Sequence, residues 1–391
     1  MNNSNLNLPQ IDIKIISIFI LSLFIYLMVA HYSPLFQFSN SNYFSGGIRI
    51  ISDYFDRNIY SFYGDWAKNH YFPYTKYSFS DLPQLAIYFF GSIWFFTDNI
   101  NDYLFVFSLS MLFITTAFLI IFMNRLRISG NTKWQILIWF SPISFYYFLN
   151  RFDMLPVLFF ITSLELLRQK KFTTGGFFFG CSILTKWFTA IALIAIIIYI
   201  LQNNTNRKTV IHFLFGIAIV MLLCLIFTFA TAGLTGILMP YKKQVLRYNS
   251  ESLYYLIGLF FKINPRNFLF PVFQIIPAII LPFMKKKCNE QEFNALIAII
   301  IINFTVFCPV NSPQWFQWFF PFALLALNMK KWLILFIAIQ LASYANFPVI
   351  YDVFGPDNKV FFSVISIKIL LYILLEIILL LKIFNPEYKH I

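Results

Sequence analysis

Charge is scarce in this chain. Asp, Glu, Lys and Arg together make 12 % of the 391 residues, whereas hydrophobic residues make 59 %. A soluble globular domain carries about a quarter charged residues, so this composition excludes one. Nor is any hydrophilic block long enough to form a separate soluble domain. Cysteine is scarce as well. Cys181, Cys224, Cys288 and Cys308 are scattered in or beside apolar segments with no CxxC spacing, which reads as small core residues rather than disulfides or metal ligands. His31, His70, His212 and His390 are too dispersed for a metal site, so no metal is expected. The apolar run after Ile13 lacks a small-residue cleavage site and reads as a first membrane span, not a removed signal. No inverted repeat of the kind found in many transporters is visible.

What is present is apolar sequence from end to end, the mark of an all-α polytopic membrane protein in one domain, 1–391. The net charge of +13 does not indicate nucleic-acid binding, because the basic residues fall in short clusters between apolar segments. These are Arg125/Arg127/Lys133, Arg168/Lys170/Lys171, Arg207/Lys208, Lys285–Lys287 and Lys330/Lys331, and such clusters belong to cytoplasmic loops. Between successive clusters the chain must cross and return. The apolar stretch 172–201 has basic flanks on both sides, so it must be two short passes with Lys186 at the outer turn. The same reasoning puts Asn150-Arg151-Phe152-Asp153 at an outer turn, with others near 233–267, 311–314 and 347–360. Segment 82–96, "LPQLAIYFFGSIWFF", is apolar but short, and parity is kept if it lies at the outer interface. Residues 33–101 then form one large outer loop. The count is about twelve spans with both ends inside, in a plasma membrane.

The outer side gathers the unusual polar residues. Arg151 and Asp153 are two apart, so on a helix they do not face each other and each needs its own partner or water. Either they snorkel at an interface or they line a polar cavity. Lys186 ends the run "GGFFFGCSILTKWF", whose Gly175, Gly176, Gly180, Cys181 and Ser182 permit close helix packing. It reads as an anchor beside Trp187 or as a cation for an anionic headgroup. Lys242, Lys243, Arg247 and Glu251 lie in an outer loop, and "NSPQWFQWFFP" sets a polar turn before an aromatic span. In "GGIRIISDYFDRNIYSFYG" the amphipathic pattern puts Asp53 and Asp56 on one helical face, as the solvated side of an interfacial helix or as functional acids. Lys368 and Glu376 fall two turns apart in the last span and call for partners on neighbouring helices.

Taken in order, "NRFDMLPVLFFITSLELL", "GGFFFGCSILTKWFTAIAL", "RYNSESLY" and "NSPQWFQWFFPF" resemble the GT-C superfamily of integral membrane glycosyltransferases. The likeness extends over nearly the whole chain and is nearest to glycosyltransferase family 87, the polyprenyl-phosphate-mannose-dependent mannosyltransferases. A short glycine-containing helix ending in a lysine matches at Lys186, an Arg…Glu-Ser element at Arg247, Glu251 and Ser252, and a Ser-Pro-Gln-aromatic turn at Ser312 to Trp315. The resemblance implies a GT-C-like module over 1–232 with outer loop 33–101, and variable C-terminal helices with substrate loops over 233–391. It implies transfer of a hexose, mannose by likeness, from a polyprenyl-phosphate donor to a lipid or lipid-linked glycan at the outer face, with inversion. Among surrounding membrane lipids, the anionic donor would be held by Arg151, Asp153, Lys186, Arg247, Glu251 and Gln314, with Asp53 or Asp56 as base and no metal or cofactor required.

The chain departs from that pattern in its first loop. Where family members carry an acid, "SNSNYFSGG" has Asn42, and "SDLPQLAIYFF" has Asp81 in place of Tyr-Pro-Pro. An amide cannot accept a proton, so Asp53, Asp56, Asp65 or Asp81 takes the base role, or the protein does not transfer sugar. A lipid or polyisoprenoid transporter and a non-catalytic membrane subunit therefore stand as alternatives. A transporter would show polar residues near the bilayer midplane on broken helices; here they gather at one face, which favours the enzyme.

Overall fold

The computed structural model describes residues 13–32, 53–74, 82–128, 134–203, 206–245, 250–261, 269–355 and 359–385. Within them the chain is helical, with no strand beyond one isolated bridge between Ser250 and Val310. The first half runs α1 (Ile13–Tyr32), α2 (Tyr54–Tyr63), α3 (Asp65–Lys68), α4 (Gln84–Trp94), α5 (Ile100–Ile128), α6 (Trp134–Leu137), α7 (Pro142–Asn150), α8 (Met154–Arg168), α9 (Phe172–Thr185) and α10 (Leu193–Asn203). It continues through α11 (Lys208–Val245), α12 (Leu253–Phe261), α13 (Leu269–Phe283), α14 (Glu290–Val306), α15 (Phe316–Ala326), α16 (Met329–Tyr344), α17 (Tyr351–Phe354) and α18 (Lys359–Phe384).

Among the described residues, five stretches are long and apolar enough to cross a membrane: Ile13–His31, Ile100–Leu126, Lys208–Gln244, Lys330–Phe354 and Lys359–Phe384. The expectation was about twelve crossings; the other apolar helices, such as Gln84–Trp94 and Phe172–Thr185, are shorter than a span. α8, at 15 residues, rises about 22 Å, short of a hydrocarbon core of about 30 Å. The break expected at Lys186 is present: α9 stops at Thr185, Lys186 is extended, and a 3-10 turn from Trp187 leads into α10. Segment 82–96 contains the 11-residue α4, packed on α2, α3, α5 and α9. The outer loop expected over 233–267 is largely helical instead. α11 bends at Gly233, which has a positive φ of 63°, and continues to Val245, with α12 following.

Small residues set the closest approaches. A Cβ at Gly216 would stand 2.0 Å from the Thr173 carbonyl oxygen, and one at Gly176 would stand 1.9 Å from that of Phe213, so α9 and α11 pack backbone to backbone. One apolar core joins residues from Ile16 to Ile383.

The helices deliver polar residues to two ends. At one, Arg125 pairs with Glu290 at 3.0 Å and Glu165 at 3.9 Å, Arg168 pairs with Glu165, and Lys285 pairs with Glu292. Gln202 donates to the Lys285 carbonyl at 2.8 Å. Arg125, Arg168 and Lys285, from three basic clusters, thus share this end. Asp153 and Glu165 bracket α8 about 18 Å apart by helical rise, and the candidate site occupies Asp153's end.

Candidate functional site

The site begins with a sharp stop. Ser141 caps α7, accepting from the Ser144 amide at 3.0 Å with Pro142 at the first helical position. α7 ends at Asn150, Arg151 is extended, and α8 starts at Met154. The chain therefore presents Asn150, Arg151 and Asp153 in different directions from one corner. Asn150 and Arg151 both reach Asp53, at its amide and at its carboxylate, whereas Asp153 meets Lys186 and Trp318.

Asn150 accepts the Asp53 amide at 3.0 Å through Oδ1 and donates to the Tyr146 carbonyl at 2.8 Å. Arg151 Nη2 meets Asp53 Oδ2 at 2.7 Å, with the guanidinium 5.1 Å from the centre of the Phe347 ring. Asp153 Oδ1 accepts from Lys186 Nζ at 2.5 Å and from Trp318 Nε1 at 2.7 Å. The Lys186 ammonium also lies 4.6 Å from the Phe152 ring centre and 4.9 Å from that of Trp318. Trp318 is itself fixed between Phe188, stacked at 3.9 Å, and Trp315, stacked at 4.3 Å. Charge in low dielectric is stable only when it is compensated: Lys186 and Asp153 are paired and hydrogen-bonded, and Arg151 and Asp53 form an ion pair.

Arg151 and Lys186 line a cavity of about 290 Å³ together with Gln314, Trp187 and Trp315. Asp53 and Asp153 lie behind their cations with no exposed surface. Gln314 Oε1 and Asp153 Oδ2 are buried acceptors without a hydrogen-bond partner among the described residues. The cavity thus offers cationic groups and aromatic faces side by side, with two acceptors buried in the wall behind them.

A second polar chain adjoins it. Lys368, wholly buried in α18, donates to the Asn311 carbonyl at 3.0 Å and to Asn346 Oδ1 at 2.7 Å, and Asn346 donates to Glu251 Oε2 at 3.1 Å. The Ser250 amide donates to the Pro309 carbonyl at 3.0 Å, and the Asn311 amide to that of Ser250 at 3.1 Å. Lys368 thereby ties residues 250–251 to the cavity-lining turn at 309–312. Glu251 is one residue removed from the Arg151 environment, since Asn346 precedes Phe347.

The structure brings Asp53, Arg151, Asp153, Lys186 and Gln314 to one place, with Glu251 alongside. Arg247 lies outside the described residues, as do Asn42 and Asp81. Asp56 is within α2, but its side chain is outside them too. One expectation needs correction. Asp53 is not on the solvated face of a helix: α2 starts at Tyr54, so Asp53 precedes it and turns inward to Arg151. Of the two alternatives for Lys186, its ammonium does more than sit beside Trp187: it pairs with Asp153 and lies against the rings of Phe152 and Trp318 at the cavity wall. Asp65, the remaining candidate acid, accepts instead from Asn69 at 2.5 Å in an exposed local bond. Asn150, Trp318, Asn346 and Lys368 were not expected at the site in these roles. The "NRFD" and "QWFQWFF" runs held signals for the first two, a polar residue at the helix stop and tryptophans three apart.

Compared with protein-family models, curated proteins and solved structures, the chain matches none of them.

Proposed function

We propose that this chain is a polytopic membrane glycosyltransferase, crossing about twelve times, that moves a hexose from a polyprenyl-phosphate donor to a lipid or lipid-linked glycan. The cavity end faces outward and the basic end faces the cytoplasm, in keeping with the positive-inside distribution. One observation carries the reading: Arg151 and Lys186, far apart in sequence, line one cavity, with a first-loop carboxylate, Asp53, 2.7 Å from Arg151. Transfer from a phosphate ester needs positive charge where the leaving oxygen develops negative charge, and a carboxylate to take the acceptor proton. In that step the acceptor oxygen bonds to the anomeric carbon, the bond from that carbon to the phosphate oxygen breaks, and polyprenyl phosphate leaves. The acceptor proton passes to the carboxylate.

Purified protein in liposomes, given labelled polyprenyl-phosphate hexoses and native lipids, should transfer label to a lipid product. Lys186→Ala should abolish the transfer. Lipid-phosphate binding with no transfer from any hexose donor would instead favour a non-catalytic subunit, a reading supported by the occupation of Asp53 by Arg151.

A further inference from the structure

One wall of the cavity is neutral. The turn from Asn311 to Trp315 is held by its backbone. The Asn311 amide donates to the Ser250 carbonyl at 3.1 Å, the Asn311 carbonyl accepts from Lys368 at 3.0 Å, and the Trp315 amide donates to the Ser312 carbonyl at 3.1 Å. Two side chains of the turn, Ser312 and Gln314, line the cavity. Ser312 stands at the N-cap position of the 3-10 turn Pro313–Trp315, where a serine hydroxyl ordinarily accepts from a helix amide, yet it makes no capping bond. Gln314 is 6 % exposed, and its Oε1 is a buried acceptor with no hydrogen-bond partner among the described residues. A buried amide oxygen without a donor is costly, so packing alone does not account for a glutamine here.

Groups of this kind suit neutral hydroxyls. A phosphate is gripped by full positive charge, whereas a hydroxyl both donates and accepts, and a serine hydroxyl and a glutamine amide each match it in both senses. Rotation about the last side-chain bond of Gln314, a broad and roughly two-fold torsion, turns either end of the amide towards the cavity. The order along the wall fits a sugar ring joined to a phosphate. The Lys186 ammonium lies 4.9 Å from the centre of the Trp318 ring, Trp318 stacks on Trp315 at 4.3 Å, and Gln314 adjoins Trp315 in sequence. One indole thus separates the cation from the neutral turn.

We propose that Ser312 and Gln314 read the hydroxyls of the donor hexose, while the cationic side of the cavity takes its phosphate. The proposal rests on the glycosyltransferase reading and gives that site its sugar selectivity. A hexose with the matching hydroxyl satisfies the Gln314 amide. One lacking it leaves the amide unpaired, and sites built to hydrogen-bond a hydroxyl discriminate strongly against such analogues.

The test is a ratio. Purified protein in liposomes is given polyprenyl-phosphate hexoses in which one hydroxyl at a time is replaced by hydrogen, and kcat/KM is measured for each. The wild type should disfavour at least one deoxy donor by about tenfold or more. Gln314→Leu keeps much of the side chain's bulk but none of its hydrogen bonding, and should reduce that preference to within about twofold. A variant that slows every donor by one factor, with the ratios at their wild-type values, makes the turn a structural support and overturns the proposal. A wild type indifferent to every deoxy donor overturns it as well. No transfer from any hexose donor removes the glycosyltransferase reading instead, so the two failures are distinct. If Gln314→Leu does not fold, Ser312→Ala, at a half-buried position, decides by the same ratio.

Discussion

The two polar ends of this molecule solve the same problem differently. At the basic end, Glu165 pairs with Arg168 three residues on, also accepts from Gln169 at 3.0 Å, and lies 3.9 Å from Arg125. Glu292 takes part in a capping box with Asn289 and pairs with nearby Lys285. Most of those contacts are local and overlapping, although buried Arg125 also reaches Glu290 at 3.0 Å from a distant helix. At the cavity end, both carboxylates are wholly buried, and the cations they meet, Arg151 and Lys186, line the cavity. Local pairs hold one end. Buried carboxylates behind cavity-lining cations hold the other.

The largest effect is therefore expected for Asp153→Ala. It removes the Asp153 acceptor from the Lys186 ammonium and from Trp318 Nε1, and breaking a buried pair costs about 3–5 kcal/mol. Unfolding in mixed micelles should show that loss, and a cost below about 1 kcal/mol, the range of exposed pairs, would erase the distinction between the ends. Lys368→Met comes next. It leaves the Asn311 carbonyl and Asn346 Oδ1 without this donor, at about 1–3 kcal/mol. Residues 250–251 would loosen from the 309–311 turn, so a cysteine introduced at Ser250 should react faster with a maleimide in this background. Equal rates would show that Lys368 does not tie that strap.

Legibility in the sequence followed locality. The break at Lys186 could be read because basic flanks on both sides forbid a single crossing, and the stop before Arg151 because two charges interrupt an apolar run. Residues two apart cannot pair on a helix, so separate partners for Arg151 and Asp153 were also foreseeable. Their identities were not. Asp53 lies about a hundred positions from Arg151, and only tertiary packing brings it there. The amphipathic pattern left Asp53 as either a solvated-face residue or a functional acid, and placed it within a helix that begins one residue later, at Tyr54. Lys368 was visible as a charge in an apolar helix, yet its acceptors are a backbone carbonyl and an asparagine amide, groups that leave no signature.

Between the ends the contrast can be sharpened by a change that touches no charge. Gly216→Ala sets a Cβ 2.0 Å from the Thr173 carbonyl oxygen, a backbone atom that can yield only if α9 and α11 separate. Overpacking of this kind costs about 1–3 kcal/mol. α9 leads to Lys186, so the same variant should weaken lipid-phosphate binding. Tight binding in a destabilised protein would mean that the cavity end is held independently of this helix pair.

The smallest effect is expected for Arg168→Ala. Its pair with Glu165 at 2.6 Å is short, but the arginine is 39 % exposed and three residues from its partner on the same helix. Such pairs contribute below about 0.5 kcal/mol. Glu165 also keeps Gln169 and Arg125 after the change, so no buried charge is stranded. The melting temperature should stay within error of the wild type and soften no further when salt is raised. A loss comparable to that of Asp153→Ala would mean that the basic end is as finely paired as the cavity end, and that buried carboxylates are not what sets the site apart.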